Sequence, residues 1–361
     1  MTRTFLLIML KKTLQLLFFL ALGLSILTLV FRSQNAAFQE QCRLDGIPTD
    51  QCSLVDKLLH DFSTINAGWM LLVILAFTIS NILRALRWQM LLAPLGYRAG
   101  FANSLLTILL GYFANLGFPR MGEVVRAGSL ARYERIPLEK VMGTVAVDRL
   151  MDFLCLGGAV GLAFLLEGQT LLDFMAHRQQ EGGQSSSLLQ NTFVLTALGL
   201  LFTGALGVVV FWKKLRQLSV FQKVATLLKG FWDGLGSVFQ LQRTGLFLVY
   251  SAGIWLMFYL QCYFNMQAFP PTAQLGPSAA LMVFVFGTLG FVIPSPGGMG
   301  TFHALAIAGL ALYGIGGSDA FSYANIAFFA IQIFYNIVGG VLALVLLPVL
   351  NRQPASVEQV S

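Results

Sequence analysis

Charge is what this chain lacks most. Only 11% of its 361 residues are Asp, Glu, Lys or Arg, against roughly 25% in a soluble domain, so a water-facing surface of ordinary extent is excluded. Hydrophobic residues make up 57%, and mean hydropathy is +0.74. That is more apolar matter than one soluble core can use, and a bilayer is the solvent that takes the rest. Catalytic signatures are missing too. There is no G-x-S-x-G, no P-loop and no paired C-x-x-C, and the three histidines, His60, His177 and His303, stand far apart. An enzyme is therefore not expected, and neither a metal nor a cofactor is implied. A tail of only about a dozen residues after the last apolar run weakens the enzyme expectation further. Cysteine is scarce. Cys42 and Cys52 share a polar loop where a disulfide forms if the compartment is oxidising, while Cys155 and Cys262 fall in apolar runs as packing residues.

What is present is length and apolarity in blocks. Six segments, at about 13–31, 69–92, 141–166, 191–212, 244–268 and 321–349, are each close to the roughly 20 residues that cross a bilayer. The first has Arg3, Lys11 and Lys12 before it, like a secretory signal, but it is too long and Arg32 follows at once, so it reads as a span. Two more apolar regions, about 101–135 and 278–316, are interrupted, the first at Pro119 and Gly122, the second at Pro294, Pro296, Gly297, Gly298 and Gly300. Their arms are short for a crossing, which predicts re-entrant hairpins. Broken backbone at membrane depth survives only inside protein or against a polar cavity. Paired breaks in two halves of a chain point to a transporter's binding site. The expected fold is an all-α polytopic integral membrane protein of about six full spans plus two Pro/Gly-broken hairpins.

Charge placement sets the expected orientation. Lys and Arg collect before the first span, after the second, between 126 and 140, and from 213 to 243, whereas loops at 167–190, 270–277 and 314–320 carry almost none. The first hairpin then enters from the cytoplasm and the second from outside. This makes an inverted-topology repeat, 13–166 and 191–349, offset by about 175 residues within one transmembrane domain, 1–361. Both termini are expected in the cytoplasm, in a prokaryotic inner membrane. The net charge of +7 fits basic loops facing anionic lipid rather than a nucleic-acid partner. Residues 213–243 place apolar side chains at helical spacing opposite Lys and Arg, which suits an amphipathic connector on the inner leaflet or a plain linker.

Ionisable residues inside apolar segments are the candidates for function. Asp148, Arg149 and Asp152 lie within one expected span, and each charge there costs on the order of 3 kcal/mol to insert, so they face a cavity, a substrate or one another as an ion pair. Glu123 and Arg126 come just past the first break, where a new helix start offers free N–H groups to a phosphate and Arg126 adds a bidentate fork. Snorkelling at the interface is the alternative for Arg126. Arg84 and Arg87 stand with Trp88 at the end of the second span, where they read as interface anchors, Arg84 being a turn deeper and placed to point inward. His303 follows the second break as a packing residue or a ligand. Gly157 and Gly161 form a G-x-x-x-G suited to close helix packing.

As an ordered set these motifs carry a resemblance. Arg84-Ala-Leu-Arg87-Trp88, Asn115-Leu-Gly-Phe-Pro119-Arg-Met-Gly122-Glu123-Val-Val-Arg126, Val147-Asp148-Arg149-Leu-Met-Asp152 and Pro294-Ser-Pro296-Gly297-Gly298-Met-Gly300 are similar to the flippase-like transmembrane domain of lysylphosphatidylglycerol synthases, over about 13–349. Asp148 and His303 stand where that family commonly has Glu and an acidic residue. The resemblance implies movement of a lipid between leaflets, the lipid being made by a separate domain or partner enzyme. The expected function is a lipid flippase-like transporter that moves a phosphate-bearing lipid, with aminoacylated and polyprenyl-linked forms among the options, between leaflets by alternating access, its expected partners being that lipid and an enzyme that makes it. A small-anion or proton-coupled transporter and a membrane enzyme on a lipid-linked substrate are the alternatives.

Overall fold

A computed structural model describes residues 52–117, 120–181 and 241–351, with scattered helical residues between 25 and 43. Every regular element among them is helical. In chain order these are α1 (Leu54–Ser63), α2 (Ala67–Leu92), α3 (Phe101–Gly117), α4 (Met121–Glu134), α5 (Leu138–Glu181), α6 (Thr244–Ala268), α7 (Pro277–Val292), α8 (Thr301–Ala311), α9 (Gly317–Phe328), a π-helical turn (Phe329–Tyr335) and α10 (Asn336–Leu350). Four stretches are long and apolar enough to cross a membrane: Ala67–Leu95, Leu138–Phe174, Thr244–Ala268 and Gly317–Leu350. The chain is an all-α polytopic membrane protein. The expected spans at 191–212 and, apart from Ser25, Thr28 and Phe31, at 13–31 lie outside the described residues, as does the connector up to residue 240.

Two compact units divide the chain, the larger built from Met1–Leu166 and Arg243–Ser361, the smaller from Glu167–Gln242. In the smaller one the described part is chiefly the end of α5, where Thr170 donates to Glu167 at 2.8 Å. The loop expected from 167 is not found there, because the helix runs on to Glu181. Leu171, Leu172, Met175, Ala176 and Gln179 are good helix formers, and no proline interrupts them.

Local chemistry explains where the helices of the larger unit begin and end. The Ser53 hydroxyl accepts the backbone N–H of Asp56 at 3.2 Å, and the Asn66 carbonyl oxygen accepts those of Gly68 and Trp69, so α1 and α2 each start on a side-chain cap. Pro277 opens α7 at a position whose N–H has no helical partner anyway. Helix α6 stops at Ala268, just before Pro270 and Pro271. It runs antiparallel to α2. The backbone N–H of Asn66 reaches the carbonyl of Ala268 at 2.9 Å near one end, and Arg87 reaches Ser251 at 3.1 Å further along.

Both Pro/Gly interruptions fold as helical hairpins, α3 with α4 and α7 with α8. At 1.5 Å per residue α3 is about 25 Å long and α8 about 16 Å, short of a hydrocarbon core of about 30 Å. In the first hairpin Gly122 lies so close to the Gly111 carbonyl and the Asn115 amide that a Cβ has no room, and its N–H donates to Asn115 Oδ1 at 2.7 Å. In the second, a Cβ on Gly290 would stand 2.7 Å from the Cα of Phe302. The π-helical turn joins α9 to α10 and places the Tyr335 hydroxyl 3.1 Å from that of Thr78 on α2. Helix α10 lies along α3, fastened by paired hydrogen bonds of 2.9 and 2.8 Å between the amides of Asn103 and Asn351.

Candidate functional site

Charge is concentrated where α2, α4 and α5 meet. On α5, Asp148 and Asp152 are four residues apart and so share a face. On α2, Arg84 and Arg87 face them. Arg84 Nη1 donates to Asp152 at 2.8 Å and to Asp148 at 3.3 Å. Arg87 donates from Nη2 to Asp148 at 2.5 Å and to Asp152 at 2.7 Å, and from Nη1 to the Ser251 hydroxyl on α6 at 3.1 Å. From α4, Arg126 Nη2 donates to Asp148 at 3.1 Å, and its guanidinium carbon lies 4.5 Å from the centroid of Trp88. Arg149 closes the network with ion pairs to Asp152 at 3.2 Å and to Glu123 at 2.5 Å.

Burial gives this network its weight. Asp148 and Arg87 are 0% exposed and Arg84 is 2% exposed. Stripping one partner from a buried pair costs about 3 to 5 kcal/mol, since the other charge is left unpaired. The cluster therefore locks α2, α4 and α5 together whatever else it does. Its stoichiometry is unequal. Among the described residues of the cluster, four guanidinium groups meet three carboxylates, leaving one cation over. Arg84 Nε is buried without a hydrogen-bond partner.

A cavity of about 560 Å³ opens beside the cluster, between the two hairpins. Arg84, Arg149, Asp152 and Glu123 line one wall, and Pro294, Ser295, Gly297 and Gly298 of the second break line another. Arg120, at the tip of the first hairpin in a left-handed conformation (φ 61°), also lines it and donates to the Val292 carbonyl of the second at 3.2 Å. Helix α6, which packs against α2 with the Phe258 ring 5.8 Å from the Arg84 guanidinium carbon, supplies a further wall, and the π-helical turn contributes Ile331 and Gln332.

The candidate residues divide around this cavity. Arg126 and Asp148 are buried behind the lining, Arg126 between Asp148 and Trp88. Gly122 closes the first hairpin, and Gly300 (φ 80°) starts α8. Pro119 lies outside the described residues, as does the side chain of Pro296. His303 is 1% exposed and off the lining, its ring 4.8 Å from that of Phe328 and its Nδ1 without a partner. Cys42 and Cys52 are joined in a disulfide with Cα atoms 6.3 Å apart. Among the described residues no group of His, Cys, Asp and Glu is placed to hold a metal ion.

Two residues stand against expectation. Arg87 and Trp88, read as interface anchors, are fully buried, because Asp148, Asp152 and Ser251 satisfy the guanidinium and Thr144 accepts from the indole N–H at 2.9 Å. Other residues of the site carried no assignment in the sequence: Asn115, Arg120, Trp255, Gln261 and Asn265. The signal for the last two was available, since Gln and Asn inside an otherwise apolar span carry polar groups that need a partner or a cavity.

Comparison with known proteins places this geometry in context. The family model described as lysylphosphatidylglycerol synthase TM region matches residues 53–339. A UPF0104 membrane protein of Methanocaldococcus jannaschii is 32% identical over 101 residues, 27% of this chain and 30% of that protein. The glycosyltransferase AglD of Haloferax volcanii is 34% identical over 92 residues, 25% of this chain and 14% of that protein. The match thus spans less than a third of either relative's length. No solved structure matches the chain.

Proposed function

The chain belongs to the lysylphosphatidylglycerol synthase transmembrane-region family, and from that premise we propose that it is a transporter carrying a phosphate-bearing lipid between leaflets. The head group enters the cavity between the hairpins while the acyl or prenyl tails stay in the bilayer. The observation that carries this reading is the cation surplus beside the cavity, with Arg84, Arg120 and Arg149 on its lining. An excess buried cation is costly until an anion joins it, and a guanidinium fork matches a phosphate oxygen pair.

Alternating access follows from the two hairpins. We read both as re-entrant and the halves as inverted repeats, so that α2 and α6 are equivalent helices. Their antiparallel packing suits a pseudo-two-fold axis in the membrane plane. Cytoplasmic termini, an inner-membrane location and a separate enzyme that makes the lipid complete the proposal. On this reading the protein is a carrier and catalyses no bond change.

Proteoliposomes test it. Fluorescent phosphatidylglycerol in the inner leaflet should become accessible to an outside quencher when the wild type is present. Arg149→Gln, whose side chain is one-third exposed and so tolerates change, should slow this at least tenfold with little loss of thermal stability. Uptake of inorganic phosphate without lipid movement would replace the lipid reading with a small-anion carrier.

A further inference from the structure

The wall that α6 builds beside Arg84 differs in kind. Helix α6 has no ionisable carboxylate, ammonium or guanidinium along Thr244–Ala268, yet it lines the cavity with Trp255, Phe258, Gln261, Cys262 and Asn265. These positions recur every three or four residues and so form one face. Two polar atoms on that face are buried with nothing to bond: the indole N–H of Trp255, a donor, and Oδ1 of Asn265, an acceptor. Asn265 is 1% exposed. A buried polar atom left unpaired forfeits the hydrogen bond it had with water, and neighbouring helices offer neither atom a partner.

We propose that this face binds an uncharged, hydroxyl-rich group, a sugar or cyclic polyol, attached to the phosphate held by the arginines. The inference rests on the transport reading above and narrows its substrate to a glycosyl or polyol phospholipid. Arg84 fixes the register, since its guanidinium carbon lies 5.8 Å from the ring of Phe258. From Phe258, Gln261 and Asn265 lie about 4.5 and 10.5 Å further along the axis at 1.5 Å per residue. That is where a ring attached to a phosphate at Arg84 extends. Hydroxyls both donate and accept, so they meet the Asn265 oxygen, the Gln261 amide and, on the other side, the Trp255 N–H. A cationic head group lacks a counter-ion here. The two carboxylates on the lining, Glu123 and Asp152, are both already paired with Arg149.

The test uses the purified full chain in nanodiscs and four probes: dioleoyl forms of diacylglycerol, phosphatidic acid, phosphatidylinositol and lysylphosphatidylglycerol. Phosphatidylinositol, with a neutral ring of hydroxyls on its phosphate, should bind about tenfold more tightly than phosphatidic acid or lysylphosphatidylglycerol. Asn265→Leu should bring the ratio of phosphatidylinositol to phosphatidic acid affinity close to one, and Gln261→Leu, the variant to use should the first fold poorly, should lower that ratio about threefold. Lysylphosphatidylglycerol binding as tightly as phosphatidylinositol, or an unchanged ratio in both variants, overturns the polyol assignment while leaving the phosphate reading intact. Phosphatidic acid binding no better than diacylglycerol overturns both.

Discussion

The two hairpins perform the same fold with opposite chemistry. The first is short of flexibility and rich in charge: Arg120 at its tip, Glu123 in the first turn of α4 and Arg126 one turn on, with Gly122 clamped against Gly111 and Asn115. The second break is uncharged and glycine-rich. Gly297, Gly298 and Gly300 all take positive φ, and Phe291 stacks on Phe302 with centroids 5.0 Å apart. One hairpin is thus tied by ion pairs to α5, and the other is held by ring contacts and backbone shape. Ion pairs sealed from water are stiff and fail abruptly when a partner is removed, whereas apolar contacts slide at lower cost. The difference assigns the fixed, anion-holding side of the cavity to the first hairpin and the adaptable side to the second.

Removing Asp148 should break the first side outright. Its carboxylate serves Arg84, Arg87 and Arg126 together, so Asp148→Asn leaves three buried guanidinium groups short of charge. A loss of about 3 to 5 kcal/mol is expected, seen as loss of monodisperse protein in detergent or a large fall in the unfolding midpoint. Ser295→Ala on the second side removes one hydroxyl contact of 2.9 Å to Thr301 and should cost only about 1 kcal/mol. Equal losses in the two variants would erase the distinction between the hairpins.

Gly298→Leu is the next largest effect and acts on the second side. At φ 81° a side chain is strained, and its Cβ would collide with the Phe291 ring, for a cost of about 1 to 3 kcal/mol. The protein should remain folded because no charge is exposed, yet lipid translocation in proteoliposomes should cease, since the cavity wall at Gly298 is filled. Normal translocation by a well-folded Gly298→Leu protein would mean that the second hairpin is only a turn.

Arg126 and Arg149 sharpen the comparison within the first side. Arg126 lies over Trp88 and behind the lining, whereas Arg149 is on it. Lysine keeps the charge but loses the planar fork and the ring contact, worth about 0.5 to 2 kcal/mol. Arg126→Lys should therefore lower the unfolding midpoint with less than a threefold change in phosphatidic acid affinity, and Arg149→Lys should do the reverse. Affinity loss in Arg126→Lys without loss of stability would return Arg126 to direct head-group contact.

How much of this could be read from the sequence depends on the range of the interaction. Thr244–Ala268 was legible to the residue, because Arg243 and Pro270 bracket an uninterrupted apolar run. The i,i+3 pairing of Arg149 with Asp152 is local and was among the readings open beforehand. The burial of Arg87 was not legible, since its partners are 61 and 65 residues away and a Trp beside an Arg at a span's end also describes an interface anchor. Asn265 stood in plain view as a polar residue in a span. Its unpaired oxygen, however, depends on what the surrounding helices leave empty around it, which no local pattern encodes.

The smallest effect expected comes from charges that belong to neither hairpin, and it serves as their control. Lys57 on α1 pairs with Asp61 and with Asp319 on α9, both at 2.8 Å, and the Ser322 hydroxyl donates to Asp61. Burial works against the ammonium, but the hydrogen bonds and charges of Asp319 and Asp61 outweigh it and hold Lys57 above its ordinary value. A raised value on a cationic group means that its stabilisation is complete below the unfolded pKa of about 10.4 and is lost as pH climbs through the folded one. The gain is under about 1 kcal/mol, as for a partly exposed pair. Unfolding midpoints of wild type and Lys57→Gln should therefore differ by a constant, small amount from pH 8 to 10 and converge above it. Translocation by Lys57→Gln at pH 7.5 should match wild type, since Lys57 is off the cavity lining. A midpoint difference that persists unchanged to pH 11.5 would show that the pair contributes through packing rather than charge. Slowed translocation would extend the working charges beyond the two hairpins.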